Sequence, residues 1–290
     1  MPARLLEGKI VAQKIRDLLA EDVRQLKAKT GEEIRLFSIA VAGDAASEVY
    51  GRTQCRMAES VGILCEHCEL GADAGEEQLL DIIREKNAHR GVTGIVVQRP
   101  LPDRFDIKKV QRAIEPLKDV EGLHPQNLGR VMLGDRKIVP CTALACCELI
   151  ESTGVELYGK EAVVVGHSDI VGKPLSLMLL GKFLTTTVCH VATSDSGRLE
   201  EHCRRADVLV VAVGKPGLIK GAWVKEGSIV IDVGINRESG KLVGDVEFDE
   251  ARKRAAFITP VPGGVGPLTV AMLMRNVVDA ARIQLSACSH

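Results

Sequence analysis

Four short stretches hold the side chains with which this chain could do chemistry. In Ser47-x-x-Tyr50-x-x-x-Gln54, the tyrosine and the glutamine stand four residues apart, on one face if the segment is a helix. An amide does not titrate, so Gln54 can hydrogen-bond but cannot carry a proton through a reaction. Taken alone, the pair reads equally as a solvated helix face. Val97-Gln98-Arg99-Pro100-Leu101-Pro102 follows an apolar run, at the strand edge where open α/β sheets bind ligands. Lys118-Asp119-Val120-Glu121-Gly122 is a charged turn whose plain reading is a solvated loop. The last stretch, Thr259-Pro-Val-Pro262-Gly263-Gly264-Val-Gly-Pro-Leu-Thr269, is almost all Pro, Gly, Val and Thr. Proline stiffens such a loop and glycine bares its backbone, which suits contact with a ligand, although a structural turn has the same needs.

The elements that must carry these residues alternate. Residues 8–29 place Ile10, Val11, Ile15, Leu18, Leu19, Val23 and Leu26 at helical spacing. Strands are expected at 36–42, 64–69 and 94–98, with helices at 44–60 (starting near Asp44 or Ser47) and 76–87 between them. A second series has strands at 162–165, 185–189, 208–213 and 228–233, rich in Val, Ile and Thr and nearly free of charge. Strands covered on both faces read this way. Residues 122–140 show little periodicity and are expected to join two lobes, and 270–285 is helical. The alternation predicts an α/β fold with parallel sheets. Where the strand at 162–165 ends, Gly166-His167-Ser168-Asp169-Ile170-Val171-Gly172-Lys173-Pro174 turns into a helix. Backbone N–H groups at such a turn can cradle a pyrophosphate, though the spacing is not G-x-G-x-x-G and a plain strand–helix turn fits as well. The next strand ends at Cys189-His190-Val191 with neither an acid for a ribose 2′-hydroxyl nor an Arg for a 2′-phosphate at the expected place. Asp195 and Arg198 follow in what reads as a solvated loop.

Composition excludes several classes. Of 290 residues, 46% are hydrophobic and 27% charged, the balance of a globular protein of one large or two ordinary domains. A formal net charge of -1 draws it to neither nucleic acid nor an anionic membrane, and 3% aromatic residues leave no base-stacking platform. No apolar run is long enough for a bilayer, and the first residues lack the apolar core of a signal peptide. Nine cysteines without a framework fit a reducing cytosol, so a cytoplasmic location is expected. Cys65-x-x-Cys68 is a lone pair that reads as zinc-binding or simply as strand, and Cys146-Cys147 reads as helical core. The seven histidines show no metal-ligand spacing, so no metal is expected.

The motifs together resemble the methylenetetrahydrofolate dehydrogenase/methenyltetrahydrofolate cyclohydrolase family, FolD, nearly end to end. The matches are Ala46-Ser47-x-x-Tyr50, Val97-Gln98 with Pro100-Leu-Pro102, Lys118-Asp-Val120, Gly166-x-Ser168 with Ile170-Val-Gly172-x-Pro174, Ala206-Asp207, Val211-Ala-Val-Gly-Lys-Pro-Gly217, Ile231-Asp-Val-Gly-Ile-Asn236, Gly244-Asp-Val246 and the Pro/Gly loop. The resemblance implies two α/β lobes with a cleft. Residues 1–140, completed by a final helix at 269–290, would bind folate; 141–268 would form a Rossmann-like NAD(P)-binding domain. It implies catalytic roles at Tyr50, position 54, Gln98 and position 121. Folate contacts would add Ser47, Pro262, Gly263 and Gly264. Cofactor contacts would fall at Gly166, His167, Ser168, Ile170, Val171, Gly172, Val191, Gly214 and Ile235. It also implies tetrahydrofolate one-carbon substrates and a homodimer.

Departures from the pattern fall in the site. Position 54 is Gln where the family has Lys, 121 is Glu where it has Asp, and 99 is Arg where it is usually apolar. Val191 stands where a cationic or hydroxyl group usually meets a 2′-phosphate, which leans the cofactor to NAD over NADP. His167 and Arg198 keep NADP open. Oxidation of 5,10-methylenetetrahydrofolate is expected, with the cyclohydrolase step weak or absent for want of the lysine. The alternatives are a fully bifunctional enzyme and a folate-binding regulatory paralogue without turnover. A short-chain dehydrogenase, which uses Tyr-x-x-x-Lys, is disfavoured by Gln54 and by the early position of the motif.

Overall fold

The computed structural model describes residues 2–43 and 45–287, with side chains placed except at 45–49 and 287. The chain forms two compact units, each discontinuous in sequence: Lys14–Arg130 with Asp135–Cys141 and Val270–His290, and Met1–Gln13 with Val131–Gly134 and Thr142–Thr269.

The first unit is built on a three-stranded parallel sheet in the order Leu64–Leu70, Arg35–Val41, Gly94–Val97. Successive side chains of a strand alternate between faces. Phe37, Ile39 and Val41 therefore share one face, where they pack with Leu79, Leu80 and Ile83 of helix Glu76–Ala88 and Val110 of helix Ile107–Ala113. Leu36, Ser38 and Ala40 share the other and are also buried. Helix Glu76–Ala88 opens with Glu76 and Glu77, favourable near a helix N-terminus. Its last carbonyls are taken by Lys118, whose Nζ donates to Lys86 O (3.0 Å), Asn87 O (2.8 Å) and His89 O (2.8 Å). The turn expected to be a solvated loop is thus corrected: Lys118 and Asp119 are both buried, one capping a helix and the other holding the next turn.

The second unit carries a six-stranded, all-parallel sheet in the order Arg4–Leu5, Phe257–Ile258, Ile229–Asp232, Val208–Val211, Glu161–Val165, Thr185–Cys189. The last four strands in this order, from Ile229–Asp232 to the edge strand Thr185–Cys189, match the apolar runs of the sequence. The reversal of strand order beside Glu161–Val165 is the switch point at which open sheets of this type bind ligands. An α/β architecture with parallel sheets is as expected. The start of the chain adds an edge strand to this second sheet: Arg4–Leu5 pairs in parallel with Phe257–Ile258, and Gly8 N donates to Gly263 O at 2.9 Å. The final helix also starts earlier than expected. It spans Val265–Ala287, so Pro267 lies in its first turn, where a missing N–H costs little.

The pleat also decides the Cys65-x-x-Cys68 question. The two residues point to opposite faces of their strand, so they cannot act together on a zinc ion or as a dithiol. Cys65 is instead disulfide-bonded to Cys55 of helix Ala45–Ser60, with Cα atoms 5.3 Å apart, correcting the expectation of unpaired thiols. Closing a loop of this length stabilises a fold by about 2–3 kcal/mol. Urea unfolding of the oxidised protein is therefore expected to need a higher midpoint than that of the reduced protein. Cys65→Ser should abolish the difference, and equal midpoints with and without reductant would contradict the assignment.

Candidate active site

Helix Ala45–Ser60 and the three parallel strands beside it gather the catalytic candidates. Gln98 follows strand Gly94–Val97 directly, and its N–H extends the ladder to Ile39 O at 2.7 Å. Its side chain reaches Gln54, with Gln98 Nε2 donating to Gln54 Oε1 at 2.6 Å. Both amides are 3% exposed, so the bond forms away from bulk water. Gln54 also hydrogen-bonds Tyr50, as the i, i+4 spacing predicts. Tyr50 keeps 41% of its surface open, yet burial of its hydroxyl, with Cys141 and Glu121 nearby, pushes the phenol up to about 12. It therefore stays protonated at neutral pH and serves as a hydrogen-bond donor. Ser47 lies outside the described side chains.

Glu121 sits beside this trio. Its side chain is 26% exposed, with Arg99 Nη2 at 3.9 Å from its Oε2. Burial pushes its carboxyl up to about 7; Arg99 pulls it down and Asp119 pushes it further up. Asp119, two residues earlier, accepts from His124 N (2.7 Å) and Asn127 Nδ2 (2.8 Å), and burial raises it to about 6. The two acids thus divide the work: Asp119 fixes the turn, and Glu121 is the one that solvent and ligand can reach.

The second unit assembles the loops expected to hold a dinucleotide. Gly166 has φ 121°, and a Cβ there would lie 2.3 Å from Ala212 O. A Cβ on Gly172 would lie 2.0 Å from Gly166 O. Only bare backbone fits, and the turn leaves His167, Ser168 and Ile170 exposed in front of helix Gly172–Leu180, with Val171 buried at its N-cap. Ser168 Oγ accepts from Val171 N at 3.2 Å, holding the turn. Facing strand ends are tied by two carboxylates that the sequence reading passed over. Asp245 accepts from Val213 N (2.8 Å), Gly214 N (3.0 Å) and Asn236 Nδ2 (2.9 Å). Asp232 accepts from Gly234 N (3.0 Å), Asp245 N (3.0 Å) and Val246 N (2.9 Å), and burial raises it to about 6. Both lie in matched motifs, but only the fold shows that their carboxylates serve backbone N–H groups. Ile235, Pro262, Gly263 and Gly264 line one cavity of about 270 Å³, and Lys9 joins them from the N-terminal segment. Lys9 was missed because nothing in the sequence ties residue 9 to residue 263.

A bare glycine turn at the switch point, backed by a helix N-terminus, fits a dinucleotide pyrophosphate. The far end of such a ligand would meet His190 and Val191, at the end of strand Thr185–Cys189. Val191 is 65% exposed, and the rings of His167 and His190 stand 5.3 Å apart, edge to face. Asp195 and Arg198 are exposed as expected, but in place of a loop they stand at the end of helix Val191–Asp195 and at the N-cap of helix Leu199–Arg205. Among the described residues, no group of three His, Cys, Asp or Glu could hold a metal ion, and no helix is long and apolar enough to cross a membrane.

Residues 6–121 match the catalytic domain, and residues 140–285 the NAD(P)-binding domain, of the tetrahydrofolate dehydrogenase/cyclohydrolase family. The bifunctional protein FolD of Moorella thermoacetica is 49% identical over 283 residues, 97% of this chain and 100% of that one. That of Brevibacillus brevis is 49% identical over 285 residues, 98% of this chain and 99% of that one. Among solved structures, the bifunctional FolD of Campylobacter jejuni aligns with a TM-score of 0.93 at 42% identity, covering 97% of this chain and 99% of that one. The FolD of Trypanosoma brucei, complexed with NADP and an inhibitor, aligns with a TM-score of 0.93 at 39% identity, covering 98% and 99%.

The raised Glu121 carboxyl gives a pH signature. Between its ordinary 4.5 and about 7, the folded protein binds more protons at this site than the unfolded chain, so stability falls as pH rises through that window. Glu121→Gln removes this contribution. The variant is expected to gain stability relative to wild type between pH 5 and pH 8 in chemical denaturation. An identical pH dependence for the two proteins would show that the Glu121 carboxyl is not raised as described.

Proposed function

The chain belongs to the tetrahydrofolate dehydrogenase/cyclohydrolase family, NAD(P)-dependent enzymes of folate one-carbon metabolism, and from that premise we propose that it runs the two family reactions unequally. It oxidises 5,10-methylenetetrahydrofolate to the methenyl form, and its hydrolysis of the methenyl form to 10-formyltetrahydrofolate is weak or absent. The observation that carries this reading is the buried Gln98–Gln54 amide pair at 2.6 Å. It departs from the bifunctional names of the relatives.

Hydrolysis needs a proton taken from water and a proton given to the opening ring. A lysine of lowered pKa can do both. Two amides bonded to each other can do neither. Loss of a general acid–base group removes about 10²–10⁴ in rate. Oxidation asks less of the protein: nicotinamide, when bound, accepts the hydride, and the chain supplies placement and electrostatics. In this reading Tyr50 donates to the folate, Gln98 and Gln54 present neutral groups that do not repel the methenyl cation, and ionised Glu121 accepts from the pterin amino and ring N–H groups. Pro262, Gly263 and Gly264 contact the folate, as does Ser47. Gly166, His167, Ser168, Ile170, Val171, Gly172, Gly214 and Ile235 hold the dinucleotide. Exposed Val191 offers no charge to a 2′-phosphate, which favours NAD.

One paired assay tests these assignments. At pH 8, where Glu121 is ionised, reduced dinucleotide is expected to form faster with NAD than with NADP, and methenyl hydrolysis is expected to lag far behind. Gln54→Lys should raise hydrolysis at least tenfold. Equal turnover of both steps would mark a fully bifunctional enzyme, and no turnover of either a binding protein.

The same reading makes the protein a homodimer; the cytoplasmic location expected from unpaired thiols loses that support with the Cys55–Cys65 bond. Strand Thr185–Cys189 is the open edge of its sheet, and Tyr158, Leu180, Phe183 and Val188 are exposed around it, with the Tyr158 and Phe183 rings 5.5 Å apart. Edge strands with apolar neighbours call for a partner. Sedimentation is expected to give twice the chain mass, with Phe183→Glu shifting it towards the monomer; a monomeric wild type would reject the dimer.

A further inference from the structure

A chain of hydrogen bonds runs from Gln54 to two polar side chains with no part in the reading above. The Gln98 amide nitrogen donates twice, to Gln54 Oε1 at 2.6 Å and to Ser38 Oγ at 3.0 Å. Ser38 is fully buried in strand Arg35–Val41, and its register partner on strand Leu64–Leu70 is His67. His67 Nδ1 lies 3.3 Å from Ser38 Oγ. At Gly51, the backbone of helix Ala45–Ser60 seats both side chains: a Cβ there would stand 3.5 Å from Gln98 Cδ and 3.5 Å from His67 Cε1. The Cys55–Cys65 disulfide ties the same helix, one residue past Gln54, to the same strand, two residues before His67.

Donor and acceptor counts constrain each bond. An amide nitrogen has two protons, and Gln98 spends both. Gln54 accepts at Oε1, so its own nitrogen turns to Tyr50. Ser38 accepts from Gln98 and keeps its hydroxyl proton and a second lone pair for His67 Nδ1, which bonds it at 3.3 Å as acceptor or donor according to the imidazole tautomer. Without that anchor, the Gln98 amide can turn over, because its oxygen and nitrogen ends differ little in shape. Gln54 then turns as well, and Tyr50 spends its proton on a carbonyl oxygen instead of on the folate.

We propose that Ser38 and His67 are positioning residues for the dehydrogenase reaction, locking the Gln98 amide and, through it, the Gln54 amide that faces Tyr50. The proposal rests on the reading of Tyr50 and Gln54 as catalytic groups. Ser38→Ala is expected to lower kcat about five- to tenfold, the factor of one neutral hydrogen bond, with folate KM held within about twofold. His67→Leu should lower kcat a few-fold. His67→Asn, whose Oδ1 takes the place of Nδ1, should restore it. Exchange of the Gln98 side-chain amide protons, followed by NMR, reads the lock without turnover. They should be protected in wild type and in His67→Asn, and should exchange about tenfold faster in Ser38→Ala. Faster exchange in Ser38→Ala supports the lock even if wild type shows no dehydrogenase activity, an outcome that would reject the proposed function alone. Unchanged exchange and unchanged kcat in Ser38→Ala, or a His67→Leu loss that Asn does not restore, would overturn the lock.

Discussion

Where two amides meet out of reach of water, each must find its partner in the other. The Gln98 nitrogen and the Gln54 oxygen do so at 2.6 Å, with both side chains 3% exposed. An unpaired amide at such depth would cost about 1–3 kcal/mol, so the pair constrains everything around it. It fixes where helix Ala45–Ser60 stands against the end of strand Gly94–Val97, and it sets which end of Gln54 faces Tyr50. It also removes the group through which a proton would travel. The same bond that orders the catalytic side chains thereby limits their chemistry, and the charge changes left nearby belong to Glu121.

Both units use one architectural device, a parallel sheet whose C-terminal strand ends present the side chains or bare backbone that a ligand needs. In the first unit, Gln98 is the residue just past its strand. In the second, Gly166 plays that part, and Asp232 and Asp245 brace the neighbouring loops by accepting backbone N–H groups. Buried carboxylates used in this way are placed by hydrogen bonds more than by charge, which is why burial leaves Asp119 and Asp232 raised to about 6. Such bracing lets loops rich in glycine and proline hold a shape without side-chain packing of their own.

Much of this was legible in the chain itself. Apolar runs such as Thr185–Cys189 have bounds that the structure repeats, and alternation of strands with helical periodicity gave the parallel sheets. What stayed hidden depends on partners far away in sequence. Arg4–Leu5 is too short to show a period and is a strand only because Phe257–Ile258 lies beside it. Lys118 and Asp119 look solvated because charge usually is; the helix end and the turn that they satisfy lie 29 to 32 and 5 to 8 residues away. Of the catalytic candidates, Tyr50 and Gln54 carry a local i, i+4 signal. Ser38 and His67 carry none, since a serine inside an apolar strand and a histidine 29 residues on meet only through register. Cys65 and Cys68 lie on strand Leu64–Leu70, as their plain reading has it, and the strand turns the two sulfurs apart.

The central claim is that Gln54 permits oxidation and withholds hydrolysis. A single-turnover experiment tests it most directly, with enzyme in excess over methylenetetrahydrofolate and the methenyl and reduced-dinucleotide absorbances followed together. The account predicts that the methenyl species rises in step with the reduced dinucleotide and then decays no faster than it does in buffer. A methenyl signal that stays low while 10-formyltetrahydrofolate forms as fast as the dinucleotide is reduced would contradict it.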